Sequence, residues 1–267
     1  MLNILHAQLY RLVRSVTFWG FLALAVFIAF VIGRSACESA LAGGSLFGLP
    51  VMGYSSDSPS SGRLWIEGVL VLDQGRAPFY LALFTSWVVT VLYADDVQQG
   101  GLRSLLVGPH SRWQYVLAMT ALVVIVAIAL VAAVLAATAA AIFSFPTLNL
   151  GFNGGRLVCW MLVVILVSVF CAMATFAVLV ATGRKAVAVL FAALLCGCVF
   201  DSGLFALAAM VGGEGALSEP LSWLPLQVVG RMCESGTAPD AGDMAASMLF
   251  AVAAAAFSWL AMRRKRV

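Results

Sequence analysis

The sequence predicts an all-α integral membrane fold, with about six transmembrane helices preceded by an amphipathic helix lying along the membrane surface. Three observations carry that prediction. Of 267 residues, 63% are hydrophobic, only 10% are charged, and long apolar stretches recur from one end to the other. An ordinary soluble domain carries roughly 25% charged residues, and a helix crossing the hydrocarbon core takes about 20 apolar ones. Lipid is therefore the solvent for most of this surface, and residues 1–267 form one membrane domain.

The first element is expected over residues 1–14. Leu2, Leu5, Leu9 and Leu12 fall on one helical face, with Asn3, Arg11 and Arg14 mostly opposite, the pattern of a helix lying in the interface. The competing reading is a plain extension of the first span. Apolar runs then place spans at about 16–32, 79–94, 115–143, 157–181, 186–211 and 244–262. The run from Leu12 to Ile32 has an apolar core longer than the usual ~7–15 residues of a secretory signal, so it reads as a span.

Six spans put both termini on one side, and charge decides which. Arg11, Arg14, Arg103, Arg112, Arg184, Lys185, Arg263, Arg264, Lys265 and Arg266 share the face of the termini. The other face holds Arg34, Arg63, Arg76, Arg156 and Arg231, spread over longer loops that also carry most of the acids. The excess of Lys and Arg predicts cytoplasmic termini. With a net charge of +3 and its cations dispersed, the chain has no nucleic-acid-binding footprint.

Aromatic residues near the run ends, among them Trp19, Trp87, Tyr93, Trp113, Tyr115, Trp160 and Trp259, suit rings at headgroup depth, and some of them suit simple packing. The alanines of the third and sixth spans allow close helix approach. Cys159, Cys171, Cys196 and Cys198 read as packing residues of the spans, whereas Cys37 and Cys233, both on the outer side, are able to pair if their loops meet.

The connection between the second and third spans is the most distinctive stretch. Asp95 and Asp96 favour the positive end of a short helix, Val97, Leu102, Leu105 and Leu106 give it an apolar face, and Gly108 with Pro109 stops it. Ser111 and Gln114 form a capping box for the third span. Gly100 and Gly101 each cost roughly 1 kcal/mol against alanine, so this helix needs a surface to lie on. A solvated loop anchored by its charges is the plainer reading.

In this loop the sequence resembles the type 2 ABC transporter permeases. Their pattern has an acidic residue, a glycine step and a Pro-x-Ser-Arg element opening the third span. Here Asp95 or Asp96 takes the acidic place, Gly100 or Gly101 the glycine, and Pro109, Ser111 and Arg112 the second element, with Asp standing for the usual Glu and the glycine doubled. The amphipathic start, the six-span plan and the segment from Leu221 to Val229, with Leu224 and Pro225, extend the likeness.

The resemblance implies a permease subunit of an exporter in a bacterial plasma membrane, paired with a second copy or a homologous permease and docked on two separate ATPase subunits. Asp96, Leu102, Arg103, Leu105 and Arg112 would then belong to a cytoplasmic coupling helix and its flanks. No GxxxxGK[ST] phosphate loop occurs in this chain, so ATP and Mg would be bound by the partner ATPase, and the chain itself is expected to be no enzyme and to carry no cofactor or metal. The implied cargo is hydrophobic or amphipathic, such as a peptide antibiotic, another drug or lipid-linked material.

Asp201 is the one acid deep in an apolar run, and it marks either a polar point on a transport path or a helix break before Ser202 and Gly203 near the outer face. Gly183, Arg184 and Lys185 mark a tight cytoplasmic turn. The outer segment 34–77 is long for a connection, with a Ser, Pro and Gly-rich stretch at 54–62 and an apolar stretch at 64–72 that suits the bundle or membrane surface. Two other classes remain open. An intramembrane enzyme would need convergent catalytic groups, but His6 and His110 both fall on the cytoplasmic side and no HExxH is present. An ion-coupled transporter would need several buried acids or broken helices in symmetric halves.

Overall fold

The computed structural model describes residues 2–41, 45–46, 49–50, 63–65, 80–98, 111–145, 149–151, 154–197, 199–200, 203–204, 223–229 and 239–264. Its helices are α1 (Leu2–Arg14), α2 (Val16–Leu41), α3 (Tyr80–Gln98), α4 (Ser111–Phe143), α5 (Gly154–Thr182), α6 (Lys185–Cys196) and α7 (Ala241–Arg264), and residues 225–229 add a short helical turn. Four very short strands accompany them: β1 (Ser45–Leu46) pairs antiparallel with β2 (Leu49–Pro50), and β3 (Arg63–Trp65) pairs parallel with β4 (Asn149–Gly151). Among the described residues, α2, α3, α4, α5 and α7 are long and apolar enough to cross a membrane. The molecule is a multi-pass, helical membrane protein.

Helix ends follow local chemistry. α1 stops at Ser15, whose N–H bonds the Leu12 carbonyl at 3.0 Å before α2 begins at Val16. α2 runs nine residues past the expected Ile32, and in that added stretch Arg34 and Glu38 pair across one helical turn at 3.0 Å, a small contribution to its helicity. α5 ends at Gly183, which takes φ 67°, a left-handed conformation that favours glycine, while its N–H reaches the Leu179 carbonyl at 2.8 Å. The expected tight turn therefore occupies just Gly183 and Arg184. At the start of α7, Asp240 and Asp243 cap reciprocally: the Asp243 N–H donates to Asp240 Oδ1 at 2.7 Å and the Asp240 N–H to Asp243 Oδ2 at 3.3 Å.

α5 is the hub of the bundle, in contact with α3, α4, α6 and α7. The Ser258 hydroxyl of α7 lies 2.8 Å from the Met173 carbonyl of α5 and 2.8 Å from its own Ala254 carbonyl, a polar tie between two helices that lipid cannot replace. α3 is less apolar than α4 or α5, yet it sits largely inside. Its Thr85 and Ser86 hydroxyls donate to the Ala82 carbonyl at 2.9 and 2.7 Å, and Thr90 donates to Ser86 at 2.8 Å, so its buried hydroxyls are satisfied within the helix. α2 packs mainly on α4 and leaves Val26, Phe27 and Val31 on the outside. α7 does likewise with Met248, Leu249, Val252 and Phe257.

Contacts between named residues give the helix directions. Phe170 meets Phe250 at 5.8 Å between ring centroids, and Ser258 meets Met173, so α5 and α7 run parallel. Tyr115 with Phe176 and Thr120 with Met173 make α4 antiparallel to α5. Arg112 donates to the Arg263 carbonyl at 3.0 Å, and Trp113 packs edge-on against Trp259 at 5.9 Å. One end of the bundle thus gathers α1, the end of α3, the start of α4 and the ends of α5 and α7. At the opposite end, the β3–β4 pair joins the α2–α3 connection to the α4–α5 connection.

The expected fifth span is represented by α6, whose 12 residues cover about 18 Å at the helical rise of about 1.5 Å per residue. Asp201 and all of 205–222 lie outside the described residues, as do Cys233 and the stretches 54–62 and 66–72. Cys37 is a free, buried thiol beyond the apolar part of α2, and burial, with Glu38 beside it, pushes its pKa up to about 11. That leaves on the order of one thiolate per thousand at pH 8, so maleimide labelling of Cys37 at pH 8 should be far slower than labelling of a free peptide thiol, and should accelerate on unfolding.

The close approach of α2 to α4 is tested by glycine replacement. A Cβ at Gly33 would lie 3.1 Å from the Ala141 Cβ across the α2–α4 contact, whereas one at Gly20 would meet nothing within 4 Å. Gly33→Val should cost about 1–3 kcal/mol by overpacking. Gly20→Val should leave the midpoint of thermal unfolding in detergent nearly unchanged.

Candidate functional site

α1 reaches the bundle through the face predicted for it. Leu12 is buried, and Ile4, Leu5 and Leu9 pack against the core. Gln8 lies on the same stripe, three residues after Leu5 and four before Leu12, and is buried with them. A polar side chain in an apolar stripe needs a polar partner, and that partner is Asp96.

Asp96 sits on the last turns of α3 with no exposed surface. Its Oδ2 accepts from Gln8 Nε2 at 2.6 Å and from the Tyr115 hydroxyl at 2.7 Å, and its Oδ1 is ion-paired with Arg11 Nη1. Three donors from two other helices, one of them cationic, compensate a carboxylate removed from water. Arg11 suits this place because a long side chain can reach a buried partner while staying partly in solvent, and its side chain remains 42% exposed. The Gln8 Oε1 has no donor among the described residues.

An aromatic layer supports the node. Tyr93 packs edge-on against Phe176 at 5.3 Å, and Tyr115 lies 6.4 Å from Tyr93 and 6.5 Å from Phe176. These rings connect α3 and α4 to α5 beneath the carboxylate. The expectation of headgroup-facing rings is corrected here: Tyr93 and Tyr115 are both buried, the latter because its hydroxyl is needed by Asp96. Trp160 is buried as well, while Trp19 and Trp113 are exposed in the manner expected of interfacial rings.

The structure separates the two aspartates of the acidic pair. Asp96 turns inward, and Asp95 lines a cleft at the surface with residues of α1. Arg112 is at the start of α4, bonded to the end of α7, and Ser111 is the first residue of α4. Gly100, Gly101, Leu102, Arg103, Leu105 and Pro109 lie outside the described residues. Sequence reasoning did not find Gln8, Arg11 or Tyr115 as partners of Asp96. The readable signal was Gln8 in the leucine stripe, with Arg11 one turn on.

Both oxygens of the Asp96 carboxylate are occupied by donors from α1 or α4. Among the described residues there is no grouping of three or more His, Cys, Asp or Glu able to hold a metal ion. No protein-family model and no curated protein matches this chain.

A double-mutant cycle tests the node. Arg11→Ala leaves a buried carboxylate with two neutral donors and should cost about 2–3 kcal/mol, the upper part of the range for buried pairs being reduced by the exposure of Arg11. Asp96→Asn, which removes the charge and keeps the shape, should cost less, and the double variant should be more stable than Arg11→Ala alone. Thermal unfolding of the four proteins in one detergent gives the coupling.

Proposed function

We propose that this chain is the membrane-spanning permease subunit of an ATP-driven exporter, crossing a bacterial plasma membrane six times with both termini in the cytoplasm. Asp96 is the observation that carries the reading. Its carboxylate joins the surface helix α1 to the inner ends of α3 and α4, the two helices that flank the connection 99–110. A force applied to that connection by a partner would reach three helices together, because none can shift without exposing or stripping a buried charge. The acidic, glycine and Pro-x-Ser-Arg pattern of Asp96, Gly100, Pro109, Ser111 and Arg112 supports an ATPase as that partner.

The parallel course of α5 and α7 supports a sixth crossing, since the chain between them turns at Gly183 and begins α7 at the opposite end of the bundle. The Lys and Arg excess on the side of α1 supports a cytoplasmic location for that end. ATP and Mg are bound by two separate ATPase subunits, and a second permease copy or a homologue completes the pathway. The apolar character of the spans, whose buried hydroxyls in α3 are spent on their own helix, suits a hydrophobic or amphipathic cargo rather than an ion.

Copurification tests the reading. A chain with a phosphate loop should copurify with the unaltered protein from its native membrane, and the pair should hydrolyse ATP in a reconstituted bilayer. Leu102→Asp combined with Leu105→Asp should lower both association and stimulated hydrolysis by about tenfold or more, because each buries an unpaired charge at the contact. Arg103→Glu should weaken the contact less, as a rim charge. Normal ATPase binding and stimulation by the double Asp variant would overturn the coupling assignment, and the absence of any copurifying ATPase would overturn the function.

A further inference from the structure

A second polar feature lies beside the Asp96 node and shares Arg11 with it. α1, the Ser15 break and the last turns of α3 enclose an open cleft of about 260 Å³, lined by Tyr10, Arg11, Arg14, Ser15, Val91, Leu92 and Asp95. Its charges are of both signs and are not spent on one another. Neither Arg14 nor Asp95 forms an ion pair among the described residues, and Asp95 is half-buried. The Arg14 guanidinium stacks over the Tyr10 ring at 4.6 Å, which holds its N–H groups at the mouth of the cleft. Arg11 gives Nη1 to Asp96 and retains further donors on the cleft side.

Position narrows the occupant. The cleft is at the junction of the surface helix with α2, where an aromatic ring marks the interface: Trp19 is half-exposed and its indole N–H donates to the Val13 carbonyl at 2.7 Å. Val91 and Leu92 form an apolar wall toward the bundle, and the arginines and Asp95 stand at the polar end. We infer that this cleft binds the headgroup of a zwitterionic phospholipid with a primary ammonium, its phosphodiester on Arg14 and Arg11 and its ammonium on Asp95. A purely anionic headgroup would bring negative charge against Asp95, and a bare cation would meet two guanidinium groups. Phosphoethanolamine carries one charge of each sign, a phosphodiester for the guanidinium groups and an ammonium for the carboxylate. Free glycerophosphoethanolamine shares this chemistry; the lipid is favoured because the apolar wall continues into the span.

The test needs no ATPase or transport, so its outcome is separate from that of the proposed function. Purified protein is exposed to equal amounts of phosphatidylethanolamine and phosphatidylglycerol in detergent micelles, and the retained lipid is counted by native mass spectrometry. Phosphatidylethanolamine should be preferred. Asp95→Asn should reduce that preference by about threefold, the scale of a partly exposed charge pair. Arg14→Gln should lower retention of both lipids, and Arg14→Lys should restore part of it, which separates loss of charge from loss of fold. Competition by soluble glycerophosphoethanolamine would assign recognition to the headgroup alone, whereas preference without competition would add the acyl chains to it. Equal or greater retention of phosphatidylglycerol, or a preference unchanged by Asp95→Asn, would overturn the inference.

Discussion

A carboxylate without water must be surrounded by donors, and in this molecule that requirement organises one whole end of the bundle. Asp96 has no exposed surface and receives Gln8, Arg11 and Tyr115. Charge desolvation is expensive enough that losing a donor costs about as much as a severe packing change. α1 is therefore fixed in roll and in depth: turning it by one residue would withdraw Gln8 and Arg11 together. The aromatic layer of Tyr93, Tyr115 and Phe176 passes the same constraint to α5.

Away from that end, cohesion has a different origin. Lipid tails are as apolar as leucine, so burying Val, Leu and Phe between helices gains little over leaving them in the bilayer. Close approach and interhelical hydrogen bonds carry more of the association. Gly33 lets α2 come near Ala141 of α4, and Ser258 ties α7 to the Met173 carbonyl of α5. The same physics explains why α2 and α7 display large apolar side chains outward without penalty. A soluble protein with such a surface would aggregate.

Much of the architecture could be read from local sums along the chain. Five of the six expected spans coincide with long apolar helices, and the turn at Gly183 fell where a glycine followed by two cations ended an apolar run. Errors occurred where a pair of residues overrode the local average. α2 continued past Ile32 through sequence that hydropathy alone would end, where Arg34 and Glu38 pair along the helix. Tyr93 and Tyr115, near span ends as interfacial rings are, were drawn inward by Asp96 and Phe176. The acidic pair was legible as a place of interest, but not which of its members turned inward.

The sequence by itself determined that the chain dissolves in lipid, where most of its helices lie, and that α1 has one apolar face, because transfer free energy and helical periodicity depend on neighbours within a few turns. Gln8 stands among the leucines of that face, a signal present in the sequence that went unread. Only the tertiary structure decided what Gln8 and Arg11 were for, since their partners are 88 and 85 residues away and the closure of that contact depends on how α1, α3 and α4 meet. The same holds for the parallel course of α5 and α7, which rests on Phe170 with Phe250 and Met173 with Ser258. Contacts of this kind are set by three-dimensional packing and leave no periodic trace along a single chain.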